Sequence, residues 1–439
     1  MDKYYLIGER LGHSFSAEIH RAFGRYDYEL KELCPAELGP FLEARDFAGL
    51  NVTVPYKEAV IPYLDRLDEQ AAAIGAVNTV INRDGALWGY NTDFWGMEAA
   101  LRRLWGTQTA ECRPCEGTTV LILGTGGTSK TALAACRALG ARKVFRVSRT
   151  GREGTLSYEQ AAALFGTPPH PSASQIPSHQ GEGFGLAEPR GLVVINCTPA
   201  GMWPDLDGGP LGLAGLPGLE GVFDCVYNPL RTRLVLEAQA RGVPAAGGLY
   251  MLVKQAARAC ALFTGAPAEE TQVDIIFNAL RLERENLVLI GMPGSGKSTV
   301  SRILARKTGK TFVDSDEEIV KRAGKSIPAI FAEVGEAEFR DLEADVIRDL
   351  AGRTGLVIAV GGGTVLREEN VRRLKQNGRL VFLDRPLDQL LPSPDRPLGD
   401  TAEKVARLYA ERSPVYLAAA DEIVDASGEP ETVAERIAP

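Results

Sequence analysis

No apolar run in these 439 residues approaches the roughly 20 that a helix needs to cross a bilayer. MDKYYLIGER reads as a first strand with charges around it rather than as a signal peptide. Positive charge is in deficit, 49 Lys and Arg against 57 Asp and Glu for a net −8, which argues against nucleic-acid and membrane-surface partners. Paired metal-binding spacing is also absent. Cys112 and Cys115 form a single C-x-x-C in ECRPCEG, with no second pair or histidine nearby, and read as a polar loop before a strand. The seven cysteines are odd in number, and Cys136, Cys197, Cys225 and Cys260 fall in apolar strands or helices, as thiols do in a reducing compartment. These absences point to a cytoplasmic protein, and they leave a homo-oligomer open.

What the chain does have is concentrated in two glycine-rich turns. In ERENLVLIGMPGSGKST (283–299), charged helix-like sequence leads through the apolar strand Leu287–Ile290 into Gly291, Gly296, Lys297 and Ser298, the pattern G-x-x-x-x-G-K-[ST]. Glycines let backbone N–H groups close around phosphate oxygens, and the following helix turns its positive end toward them. Gly294, Ser295, Gly296, Lys297, Ser298 and Thr299 are the predicted ATP contacts, with Lys297 neutralising phosphate and Ser298 ligating Mg²⁺. A ligand-free turn is the plain alternative; the strand before and helix after argue against it. Such a strand usually opens its fold, so a new domain is expected to begin near residue 285.

The second turn lies in TVLILGTGGTSKTALAACRALG (119–140), where Gly124, Gly126 and Gly127, followed by Thr128, form a variant of the dinucleotide fingerprint. The next strand, KVFRVSRT, ends in Ser148, Arg149 and Thr150, where an NAD site would carry Asp or Glu. That substitution favours a ribose 2′-phosphate and hence NADP(H); a surface arginine is the alternative.

Residues 4–110 alternate predicted strands (YYLIG, YDYELKEL, GLNVTV) with predicted helices (EIHRAFG, PAELGPFLEAR, YKEAVIPYLDRL). Polar residues gather at strand ends: Ser14 and Ser16 in LGHSFSAEIH, Thr53 and Lys57 in NVTVPYKEAV, Asn78 in GAVNTV, Asp93 in GYNTDFWGM. Taken singly, the serines and Asp93 read as N-caps, and Lys57 as solvated surface on a first helical turn behind Pro55. As an ordered set, S-x-S, N-V-T-V-P-x-K, G-A-V-N-T and N-T-D-x-x-G resemble the substrate-binding domain of shikimate dehydrogenases, and the likeness continues through helices predicted at 249–264 and 268–284.

This resemblance implies that Lys57 gives a proton to the alkoxide formed when the 3-keto group of dehydroshikimate takes a hydride. Asp93 would pair with the lysine and bond the neighbouring substrate hydroxyl. Ser14, Ser16, Thr53, Asn78, Tyr227 (in FDCVYNP) and Gln255 (in GGLYMLVKQA) would hold substrate, with Gly248 and Met251 near the nicotinamide. LVVINCTPAGM (192–202) matches the family's strand and cofactor-side turn. GERLGHS and Ala17 stand where the family commonly has prolines. Residues 151–190, rich in Gly, Pro, Ser and His apart from YEQAAALF, exceed the family's length; His170 and His179 there read as loop residues rather than ligands.

Beyond the phosphate loop, KTFVDSDEEIVKRAG sets Asp314 and Asp316 at a strand end, two apart so that both can face the loop, or simply as an acidic helix start. GEAEFRDLEADVI carries Arg340 and Glu343 on a helix, VIAVGGGTVL carries Gly361, Gly362 and Gly363, SPDRPLG carries Arg396, and ERSPVYLAAA carries Arg412. In this order D-x-D, F-R-x-x-E, G-G-G, R-P-L and E-R-x-P-x-Y resemble shikimate kinase. The resemblance implies that Asp316 is the base at the 3-hydroxyl and that Asp314 supports Mg²⁺. Arg340 and Arg412 would clamp the shikimate carboxylate, while Gly362 and Gly363 approach the ring. Arg396, on a lid, would neutralise the transferring phosphoryl group. LDQLLPSPDRPLG is short for such a lid and lacks the arginine usual before R-P-L.

The expected fold is α/β throughout. A two-lobed dehydrogenase, with an α/β substrate domain (1–110, closed by helices in 246–284) and a Rossmann NADP domain (111–245), precedes a P-loop, NMP-kinase-like domain with a parallel sheet (285–439). Two rivals stand beside the expected bifunctional enzyme: altered substrates (quinate in the first module, another polyol in the second) and a non-catalytic pathway regulator.

Overall fold

A computed structural model describes residues 3–12, 14–106, 114–151, 154–165, 191–390 and 401–438. Arg396, His170, His179 and Cys112 lie outside the described residues, as does most of the 151–190 excursion. The chain divides into two compact units, Met1–Asn228 with Glu237–Ala279, and Pro229–Leu236 with Leu280–Pro439. No helix among the described residues is long and apolar enough to cross a membrane.

The first unit holds two sheets. Strands β1 (Tyr4–Gly8), β2 (Tyr28–Glu32), β3 (Gly49–Val52), β4 (Arg66–Leu67), β5 (Thr79–Arg83) and β6 (Ala86–Tyr90) form the first, in the order β2-β1-β3-β5-β6-β4. It is mixed: β3 pairs β5 and β5 pairs β6 antiparallel, while the other neighbours run parallel. Ile7, Leu42, Leu50, Val80 and Leu87 are fully or almost fully buried around it, each side chain contributing about 1.5–3 kcal/mol by leaving water. The β5–β6 turn is built from Asp84 (φ 51°) and Gly85 (φ 84°), the paired positive φ values of a type I′ hairpin. Helices α1 (Ser16–Phe23), α2 (Pro35–Ala44), α3 (Glu69–Ile74) and α4 (Thr92–Leu104) complete this lobe.

One predicted helix does not form. YKEAVIPYLDRL runs in turns through residue 60, then a single 3₁₀ turn at Ile61–Tyr63 and the short strand β4. Pro62 has no amide proton to extend an α-helical ladder, and its ring crowds the preceding turn. Lys57 therefore projects from a turn, held where Val77 N–H donates to its carbonyl at 2.7 Å.

The second sheet is wholly parallel. Its strands β7 (Thr119–Leu123), β8 (Lys143–Ser148), β9 (Leu156–Ser157), β10 (Leu192–Asn196), β11 (Leu219–Asp224) and β12 (Ala245–Ala246) lie in the order β12-β11-β10-β7-β8-β9. The chain thus winds outward in both directions from β7 and β10, leaving a crevice at their carboxyl ends. On this sheet pack α5 (Gly127–Ala138) and α6 (Tyr158–Phe165); α7 (Arg233–Ala240), α8 (Leu249–Thr264) and α9 (Glu270–Arg284) follow in the chain, α8 lying against α1 and α4 of the first lobe. Helices α4 and α8 touch at Gly96, where a Cβ would stand 2.6 Å from the Met251 carbonyl oxygen, so only glycine lets the backbones approach this closely.

The second unit is a five-stranded parallel sheet, β13 (Asn286–Ile290), β14 (Thr311–Asp314), β15 (Leu356–Ala359), β16 (Gly378–Asp384) and β17 (Glu422–Asp425), ordered β14-β15-β13-β16-β17. Its helices are α10 (Lys297–Thr308), α11 (Ser315–Ala323), α12 (Ile327–Ala351), α13 (Glu368–Asn377), α14 (Ala402–Ala419) and α15 (Pro430–Ile437). Val288 and Phe382 feed one core and Leu287 and Leu383 the other, because successive strand residues face opposite sides of the sheet. The charged stretch LRLEREN is helical through Arg284, and Glu285 alone precedes β13.

Candidate active sites

Asn91 caps α4, accepting from Phe94 N–H at 3.1 Å and donating to the Ala76 carbonyl at 2.8 Å. Asp93 is thereby relieved of capping, and its Oδ2 lies 2.6 Å from Lys57 Nζ with the two side chains 9% and 15% exposed. Asn78 accepts from Thr92 N–H at 2.6 Å and donates to Thr92 Oγ1 at 2.9 Å and Gln255 Oε1 at 3.3 Å. Behind these, Asn51 donates to Thr79 Oγ1 at 3.0 Å and accepts from the Tyr28 hydroxyl at 2.7 Å. A buried polar network therefore holds the side chains of β3, β5, α4 and α8 at one place.

Neither serine caps α1; Phe15 occupies that position. Ser14 Oγ accepts from Ser16 N–H at 3.2 Å. Burial raises the pKa of the Tyr227 phenol, and a hydrogen bond with Ser14 partly offsets this, while the Tyr227 ring sits 5.1 Å from that of Phe15. Thr53 donates its N–H to the Ile7 carbonyl at 2.9 Å, and its methyl lies 2.7 Å from where a Cβ on Gly8 would stand.

The dinucleotide turn reaches this cluster. Gly124 has φ 112° and packs on Cys197, and a Cβ on Gly127 would lie 3.4 Å from Lys57 Cβ. Gly126, the N-cap of α5, borders open space with Thr128 in the first helical turn, room that an anion at a helix N-terminus requires. At the end of β8, Ser148 Oγ is 3.0 Å from Thr155 Oγ1, and Arg149 and Thr150 are exposed. These residues fit NADP(H). Gly248 N-caps α8 against Cys225, whose carbonyl a Cβ would overlap, and Met251 is buried one turn on. Cys197 and Cys225 lie just past their strand ends, partly buried against the core, with Sγ atoms 3.7 Å apart.

In the second unit the phosphate loop turns through Gly291 (φ 143°), Gly294 (φ 88°) and Gly296 (φ 90°), conformations that favour glycine. Lys297 Nζ donates to the Gly291 and Met292 carbonyls at 3.0 and 2.9 Å. Ser298 Oγ donates to Asp314 Oδ2 at 2.7 Å, and Asp314 Oδ1 caps α11 through Asp316 N–H at 3.0 Å. The hydroxyl–carboxylate pair fits Mg²⁺. The buried Ser295 hydroxyl has no hydrogen-bond partner among the described residues, as suits a loop shaped for phosphate; Thr299 is exposed one turn further.

Capping by Asp314 leaves Asp316 free. Its pKa is raised from 3.8 to about 6, first by burial and then by Asp314, against the opposing pull of Lys297. Arg340 donates to Glu343 Oε2 at 2.9 Å, and Glu343 accepts from Thr364 Oγ1 at 2.8 Å. The three glycines are there for space: a Cβ would lie 2.7 Å from Asp316 Oδ1 at Gly361, 2.9 Å from Pro293 Cδ at Gly362, and within the Arg340 guanidinium at Gly363. The Tyr416 hydroxyl donates to the Gly362 carbonyl. Lys297, Asp316, Arg340, Gly362 and the buried Arg412 line one cavity of about 450 Å³. Glu343, named with Arg340 in F-R-x-x-E but given no role there, thus orients Arg340 from three residues on along the helix; Thr364 and Tyr416 have no assigned role in the sequence motifs.

The family description "Shikimate dehydrogenase substrate binding domain" matches residues 6–80, and "Shikimate kinase" matches residues 293–439. A shikimate dehydrogenase (NADP(+)) of Halothermothrix orenii is 37% identical over 278 residues, covering 60% of this chain and 91% of that one. A shikimate kinase of Chromobacterium violaceum is 47% identical over 147 residues, 32% of this chain and 80% of that one. The chain belongs to both families, shikimate dehydrogenase and shikimate kinase. The dehydrogenase half is also similar to the solved shikimate 5-dehydrogenase of Thermus thermophilus in complex with NADP(H) and shikimate. That likeness has 28% identity and a TM-score of 0.51, and covers 64% of this chain and 99% of that one.

Proposed function

We propose that this bifunctional protein reduces 3-dehydroshikimate to shikimate with NADPH and phosphorylates shikimate to shikimate 3-phosphate with MgATP. One shared observation carries the reading: each glycine loop stands beside an acid–base group, Gly127 beside Lys57 and the phosphate loop beside Asp316. The corresponding domains are 1–110 with 246–284, 111–245, and 285–439, in a cytoplasmic setting that suits the free thiols.

When bound, NADPH supplies the hydride, and MgATP the phosphoryl group. Lys57 gives its proton to the alkoxide oxygen and is reprotonated from solvent, while Asp93 holds the ammonium in place and accepts the neighbouring substrate hydroxyl. Ser14, Ser16, Thr53, Asn78, Tyr227 and Gln255 fix the ring, with Gly248 and Met251 shaping the nicotinamide side. Arg149, with Ser148 and Thr150, offers a cation and hydroxyls to the 2′-phosphate. In the kinase, Arg340 and Arg412 grip the carboxylate, and Gly362 and Gly363 let the ring approach. Asp316 takes the proton of the 3-hydroxyl. Ser298 and Asp314 would hold Mg²⁺, and Lys297, with Arg396, would balance phosphate charge.

Retention of Lys57, Asp93, Lys297 and Asp316 supports an enzyme over a regulator. Shikimate and quinate oxidation, each followed with NADP and NAD, together with shikimate-dependent ATP consumption, tests the assignment. Preference for quinate or for NAD would overturn the first half, and ATP consumption indifferent to shikimate the second.

A further inference from the structure

The kinase reading of this site leaves one nearby cation unused. Arg385 directly follows β16, the strand that pairs with β13, so the topology sets it at the carboxyl edge of the sheet, where parallel sheets take their ligands. Loop and strand end are in contact, since a Cβ on Gly291 would stand 2.9 Å from the Leu383 carbonyl oxygen. From that strand end Arg385 reaches toward the loop, its Nη1 3.8 Å from where a Cβ on Gly296 would be. Its Nε is buried without a hydrogen-bond partner, and among the described residues the guanidinium makes no ion pair. A half-buried cation left unanswered carries a desolvation cost that an anion relieves. The spot is already prepared for one: Gly296 N-caps α10, whose first N–H groups and dipole attract negative charge.

We infer that Arg385 binds the phosphates of the nucleoside triphosphate from the β16 side, a role additional to that of Lys297 and resting on the kinase reading above. It is not among the residues lining the cavity that the phosphate loop shares with Arg340 and Arg412, so it meets the loop from outside that cavity, on the β16 side. The tetrapeptide D-R-P-L occurs at 384–387 and again at 395–398. The first copy therefore brings a guanidinium to the loop independently of the lid, which lacks one of its usual arginines.

The test uses the full chain with Arg385→Ala and Arg385→Lys, varying MgATP at saturating shikimate and the converse. The alanine variant should raise the ATP KM by roughly 10- to 100-fold, the worth of a charge-assisted hydrogen bond, with partial recovery in the lysine variant. The shikimate KM and the dehydrogenase rate should stay at wild-type values. An unchanged ATP KM overturns the inference, and so does an equal rise in the shikimate KM, which would mark a structural role. If the wild type shows no shikimate-dependent ATP turnover, the kinase reading fails instead. Calorimetric titration of wild type and Arg385→Ala with MgATP then decides the arginine's role, with equal affinities counting against it.

Discussion

Replacing Asp316 with asparagine should stabilise the kinase half while abolishing its activity. The carboxyl has a folded-state pKa of about 6 against an ordinary 3.8. Below 3.8 it is protonated in both states and costs nothing. As pH rises, the unfolded chain ionises first, so stability is lost until the folded group ionises as well, near pH 6. A displacement from 3.8 to about 6 amounts to about 3 kcal/mol at neutral pH and above, and to about half of that at pH 5. Asparagine is neutral throughout and removes the cost. For a domain of this size the gain at pH 8 corresponds to a rise in Tm of about 6–12 °C. Calorimetry on the full chain would follow the transition that MgATP and shikimate shift upward in the wild type. A Tm that is unchanged or lower at pH 8, or a gain as large at pH 5 as at pH 8, would refute the reasoning. The same displacement predicts that wild-type kinase kcat/KM falls as pH drops through about 6, because the base must be ionised.

Three further outcomes are expected. Lys57→Ala should lower dehydrogenase turnover by roughly 10²–10⁴ and leave the kinase intact; near-normal turnover would remove the lysine from its role. Arg149→Ala should raise the KM for NADPH by about tenfold, the worth of one charge-assisted contact, with the KM for NADH unmoved in parallel assays. His20 is fully buried, its Nδ1 is 2.6 Å from the Tyr26 hydroxyl, and its pKa is lowered from 6.5 to about 3 by burial. The unfolded chain therefore binds this proton first as pH falls, and the dehydrogenase half should lose about 2 kcal/mol between pH 7 and 5. Thermal unfolding at the two pH values should show a smaller loss in His20→Phe, and an equal loss in variant and wild type would contradict the argument.

Both glycine loops were legible because their chemistry is local: a strand, a turn that only glycine can follow, and a helix N-terminus lie within about 20 residues of one another. The proposed catalytic carboxylates were half-legible. Asp93 reads as a helix cap and Asp316 as part of an acidic helix start until the fold shows Asn91 and Asp314 doing the capping. The β5–β6 hairpin had its signal in the Asp84–Gly85 pair, which the predicted strands passed over. The helix predicted from Tyr56 fails at Pro62, where apolar periodicity outweighed a missing amide proton. The network joining Asn51, Asn78, Thr79, Thr92 and Gln255 spans four elements, and no spacing along the chain encodes it. Arg385 was hidden for a related reason: the pairing of β16 with β13 brings it to the phosphate loop.

The claim that both halves act in sequence is tested most directly by incubating the purified chain with 3-dehydroshikimate, NADPH and MgATP and identifying the products by mass spectrometry. Shikimate 3-phosphate is the expected product, with shikimate accumulating when ATP is withheld. Shikimate alone in the complete mixture would contradict the kinase half, and unchanged 3-dehydroshikimate would contradict the whole.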